Sequence, residues 1–138
     1  MASVRLFVAD RGEWDELTDG DRDAVRVSAP DLQQARRARA RIRAGADDVA
    51  VILDVTVAVG ADFRSARTAF RPDADGNGTV RYAGTLDGLA GLVADIETAD
   101  VADGVTLLAA APRQDLRALG RDVLARLAIR GQPGAPST

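Results

Sequence analysis

Residues Val49 to Val59, VAVILDVTVAV, constrain this chain more than any other stretch. The run is almost continuously apolar and rich in β-branched side chains, and its one charged residue is Asp54. That is the pattern of a strand covered on both faces, as in a parallel sheet, and it predicts a central strand ended by Gly60.

The rest of the chain arranges itself around that strand. Val4 to Ala9 is a short apolar run ending at the Asp10-Arg11-Gly12 turn, and Asp23 to Ser28 (DAVRVS) reads as a second strand. Between them, residues 10–23 are acidic and turn-rich, with Trp14 and Leu17 at helical spacing, which predicts one short helical turn. Ser28, Pro30 and Asp31 supply a cap hydroxyl, an early proline and an acidic first turn for a helix running to about Ala44. A shorter helix is expected over Asp62 to Phe70, before Pro72. Thr85 can cap a helix carrying Leu86, Leu89, Leu92, Val93 and Ile96 on one face. Val105 to Leu108 is the last strand, and a final helix spans about Arg113 to Ile129. Strands alternating with helices predict one parallel α/β domain over residues 1–131, with a flexible tail at 132–138.

The chemistry open to the chain is narrow. It has no histidine and no cysteine, so imidazole bases, thiolates, disulfides and zinc sites built on those ligands are excluded. All 18 basic residues are arginine, which excludes lysine Schiff bases. A net charge of −3 gives no general affinity for nucleic acid, and the run Arg36, Arg37, Arg39, Arg41 and Arg43 is read as the solvated face of a helix. With no signal peptide and no apolar span, no membrane association is expected and the protein is placed in the cytoplasm. Asp73, Asp75 and Asn77 imitate the start of a calcium loop, but its twelfth position is Gly84 where a bidentate glutamate is needed, so a turn and no metal is expected.

Four stretches, in order, resemble one family. These are DAVRVSAPDLQQARRARARI (Asp23 to Ile42), DDVAVILDVTVAVGADFRSARTAF (Asp47 to Phe70), YAGTLDGLAGLVADIE (Tyr82 to Glu97) and ADGVTLLAAAPRQDLRALGRDVLARLAIRG (Ala102 to Gly131). Together they are similar to the luciferase-like flavin-dependent monooxygenases, in the branch that includes the nitrilotriacetate and dibenzothiophene sulfone monooxygenases. The resemblance implies half of a TIM-type (β/α)8 barrel, about four parallel strands with flanking helices, because a complete barrel needs about 250 residues and this chain has 138. It also implies FMN or F420 as cofactor and an oxidoreductase or monooxygenase activity. Two departures limit that implication. Val8 to Asp23 is acidic where the family carries its phosphate loop, and the family's front half, with much of its flavin and substrate pocket, has no counterpart. No catalytic residue carries over. The expected function is therefore that of a truncated relative acting as a dimeric binding or scaffold domain. The alternative is a flavin-dependent enzyme, alone or completed by a partner chain.

Alternation along the strands divides their residues between two faces. With the more aliphatic set toward the helices, the other face carries Arg5, Phe7 and Ala9, then Ala24, Arg26 and Ser28, then Ile52, Asp54 and Thr56, and finally Thr106 and Leu108. Arg5, Arg26, Ser28, Asp54, Thr56 and Thr106 are the ligand-facing candidates. Their polarity fits a ligand-lined cleft, a network across a subunit interface, or the pairing of Asp54 with arginine inside one domain. An open half barrel also leaves edges and a face uncovered, which predicts a homodimer or association with a complementary barrel half.

Overall fold

The computed structural model describes residues 4–10, 13–18, 20, 23–45, 49–59, 79–109 and 115–130. Its elements are β1 (Arg5–Asp10), β2 (Glu13–Glu16), β3 (Ala24–Val27), α1 (Leu32–Gly45), β4 (Ala50–Val59), β5 (Val80–Gly84), α2 (Leu86–Thr98), β6 (Gly104–Ala109) and α3 (Leu116–Arg130). The expected helix at Asp62 to Phe70, the calcium-like turn from Asp73 and the tail at 132–138 lie outside the described residues.

The long apolar run forms β4, the spine of a six-stranded sheet. One edge of β4 pairs in parallel with β6, from Ile52↔Gly104 to Val57↔Ala109. The other edge is shared by two short parallel strands in tandem: β3 lies along Ala50 to Leu53, and β5 along Val55 to Val59. Asp54 sits at the break between them. Beyond β6 comes β1, also parallel, and then β2, antiparallel to β1 with Phe7 opposite Glu16 and Asp10 opposite Glu13.

This arrangement is mixed α/β but corrects the expected half of a (β/α)8 barrel with four parallel strands. In such a barrel each strand lies beside the next in sequence. Here the last strand inserts between β1 and β4, β3 and β5 share one edge, and β2 runs antiparallel. The physical reason lies in the strands' faces. Val105, Thr106 and Leu107 are fully buried, so β6 takes the centre beside β4, while β3 and β5 carry the exposed residues Arg26 and Arg81 and remain at the edge. Gly104 permits the close approach: a Cβ there would lie 2.4 Å from the Arg5 carbonyl oxygen and 2.9 Å from Ile52 Cδ1.

Alternating residues divide the interior in two. Leu6, Val8, Leu53, Val55, Val57, Val105 and Leu107 pack against Ala35 of α1, Leu89, Val93 and Ile96 of α2, and Leu116, Leu119 and Val123 of α3. Each fully buried aliphatic side chain contributes about 1.5–3 kcal/mol. A smaller cluster of Phe7, Ala50 and Ile52, with Trp14 and Ala24 beside it, forms with the opposite parity of β4. The predicted helical turn at 10–23 is a strand instead. Trp14 goes to this second cluster while Leu17 packs on the helix side, where a Cβ on Gly120 would meet its Cδ1 at 2.3 Å. The two residues read as one helical face therefore serve opposite faces of the sheet.

Local caps fix the helix starts. Asp31 receives the Gln34 N–H at 2.8 Å and so caps α1, which leaves Ser28 for another role. Thr85 caps α2 through the Gly88 N–H, and Asp115 caps α3 through the Ala118 N–H. The end of α2 is a Schellman turn: Val101 N–H donates to the Ile96 carbonyl, Asp100 N–H donates to Glu97, and Asp100 adopts φ 59°.

The arginine run of α1 is not all solvated. Arg39 donates to Asp103 Oδ1 at 2.9 Å, Arg43 donates to the Val49 carbonyl at 2.9 Å, and Arg43 also lies 3.6 Å from Asp103. Asp103 Oδ2 in turn accepts the Val51 N–H at 2.8 Å, so the helix is stapled to the leading ends of β4 and β6. Burial would raise the Asp103 carboxyl, but these donors and the two guanidinium charges hold it below its ordinary value. Glu97 moves the other way, raised by burial and by the Asp103 charge. Among the described residues no helix is long and apolar enough to cross a membrane.

Candidate functional site

The strand registers place the polar candidates side by side on the sheet face of the second cluster. Asp54 stands beside Thr106, which stands beside Phe7, which stands opposite Glu16; one step along, Arg26 is beside Ile52 and Arg5 beside Gly104. Thr56 pairs with Leu108 on one side and with Arg81 of β5 on the other.

Three of the candidates form one hydrogen-bonded unit. Asp54, only 5% exposed, accepts from Arg26 Nε at 2.8 Å through Oδ1 and from Ser28 Oγ at 2.7 Å through Oδ2. The break between β3 and β5 makes this possible, because β3 ends just before Ser28 and leaves the Asp54 carboxylate facing the strand end. Thr106 is fully buried, and its hydroxyl accepts the Trp14 indole N–H at 2.8 Å. Trp14 stacks on Phe7 with ring centroids 4.5 Å apart and planes 14° apart, while the Arg26 guanidinium lies 6.0 Å from the Trp14 ring centroid.

The two remaining candidates belong to separate contacts. Arg5 forms a bidentate pair with Glu16 at 2.9 and 2.7 Å and lies 5.4 Å from the Phe7 ring centroid. Glu16 also accepts from Thr18 and from the Gly20 N–H. The Arg5 hydrogen bond, opposed by burial and aided by those two donors, lowers its carboxyl from 4.5 to about 2. Thr56 shares a 2.8 Å hydrogen bond with Thr79 and touches neither network.

Trp14 and Glu16 are members of this face that sequence reasoning missed. Their two-residue spacing carried the strand signal, but the i, i+3 spacing of Trp14 and Leu17 competed with it. Among the described residues, no group of three or more acidic side chains could hold a metal ion. The buried side-chain nitrogen and oxygen atoms among them all have hydrogen-bond partners.

Compared with known proteins, the chain matches no family model and no curated protein.

Proposed function

We propose that this protein is a non-catalytic binding or scaffold domain, a rearranged relative of the luciferase-like monooxygenases that its sequence resembles, acting in the cytoplasm as a homodimer or with a complementary chain. The observation that carries the binding reading is the state of the polar face. Asp54 is engaged by two donors and Glu16 by Arg5, Thr18 and the Gly20 N–H, a pattern that favours carboxylates employed as structural acceptors. These serve to hold other side chains in place.

The relation to the resembling family rests on the four ordered stretches of sequence alone. Association is favoured by the sheet edges. Among the described strands nothing lies beyond β2 at one side or beyond β3 and β5 at the other, and open edges are usually covered in working proteins.

The test is the visible spectrum of the purified protein, recorded alone and during addition of FMN and then F420. The expected result is no flavin band and no saturable spectral change. Stoichiometric binding of either cofactor would overturn the non-catalytic reading in favour of a flavin-dependent oxidoreductase.

A further inference from the structure

Arg26 is held at one end and open at the other. Its Nε is fixed by Asp54, and its planar group lies by the Trp14 ring, itself anchored by Phe7 and Thr106. The side chain is nevertheless 35% exposed, and among the described residues no hydrogen bond reaches either Nη group. A guanidinium carries five N–H donors in a rigid fork, and the Asp54 bond uses only the one on Nε. The four N–H bonds of the Nη groups remain in a fixed plane.

The position matters as much as the geometry. Arg26 lies near the trailing end of β3, at the break where β5 takes over the edge of β4. Glu16, on the same face, is already neutralised by Arg5.

We propose that Arg26 binds a small oxyanion, a carboxylate or phosphate group, through its two Nη groups, with Asp54 as the positioning residue. The inference rests on the binding-domain reading and gives that domain a ligand class. Two coplanar oxygens match the two outward N–H pairs, and the Asp54 bond to Nε fixes the plane in which they lie. Lysine would supply the charge without the fork.

Trp14 is the chain's single tryptophan and lies by Arg26, so its emission reports directly on the site. The experiment is a titration of the full chain with sodium acetate and, separately, with inorganic phosphate, each at constant ionic strength balanced by chloride. A saturable change in Trp14 emission is expected for at least one of them; saturation by acetate alone assigns a carboxylate, by phosphate alone a phosphate ester, and by both the shared oxyanion chemistry. Arg26→Lys should weaken binding by about tenfold, the loss of one good bidentate contact, and Arg26→Gln should abolish it. Arg126→Gln, on α3, should leave it unchanged. Circular dichroism confirms that each variant is folded, and the milder Arg26→Lys change keeps the test decisive if Arg26→Gln is not. No saturation by either anion, or equal binding by a folded Arg26→Gln variant, overturns the proposal. A flavin band would instead overturn the non-catalytic reading and leave this titration to be judged separately.

Discussion

Replacing Asp54 by alanine removes the acceptor for both Arg26 and Ser28 at a position only 5% exposed. Breaking one side of a buried ion pair costs about 3–5 kcal/mol because the other charge is stranded. Arg26 is 35% exposed, so water recovers part of that loss and about 2–3 kcal/mol remains. Asp54→Asn keeps an oxygen for Arg26 Nε, and the Ser28 hydroxyl can rotate to accept from the new amide. It should therefore cost only about 1 kcal/mol. Urea unfolding is the assay, read as a shift in midpoint at unchanged slope. Arg26→Met combined with Asp54→Leu should recover much of the loss, since an apolar pair strands no charge. A loss below about 0.5 kcal/mol for Asp54→Ala, or equal losses for alanine and asparagine, would refute the assignment of Asp54 as the organiser of this face.

Three further outcomes follow from named contacts. The folded Glu16 carboxyl lies at about 2 against an ordinary 4.5, so its stabilisation is present above pH 4.5 and is lost as pH falls toward 2. Glu16→Gln should flatten the acid side of the urea-midpoint profile by about 1–2 kcal/mol, and an unchanged profile would count against the Arg5 pair. Gly88→Ala, which on an ordinary helix surface stabilises by about 1 kcal/mol, should destabilise here because its Cβ would sit 2.2 Å from Tyr82 Oη. In a Tyr82→Ala background the thermal shift should reverse sign, and no reversal would remove Tyr82 as the cause. Asp100→Gly should raise the melting temperature, since glycine relieves about 1 kcal/mol at φ 59°; a lower value would contradict the Schellman assignment.

The parts of the fold that were legible share one property: a long, unambiguous period. The uninterrupted run that became β4 and the leucine faces of α2 and α3 declared themselves, and strand alternation grouped Asp54 with Arg26, Ser28 and Thr106 on one face. Strand order was not legible. It depends on which strands can tolerate burial on both sides, and the insertion of β6 beside β4 requires Gly104 to admit Ile52 and the Arg5 backbone. Short elements failed for a different reason. In β2 a few residues satisfy two periods at once, and tertiary pairing decides between them. Ser28 shows the same limit on the scale of one side chain. A hydroxyl four residues before the first helical residue looks like a cap, yet Asp31 takes that role and Ser28 turns to Asp54.

That the domain works by association is tested most directly by sedimentation velocity on the full chain at micromolar concentration and physiological salt. Added alone, the chain should sediment as a dimer, with the proportion of monomer rising on dilution. A single monomeric boundary throughout that range would contradict a homodimer and leave the open edges of β2, β3 and β5 without the partner proposed for them.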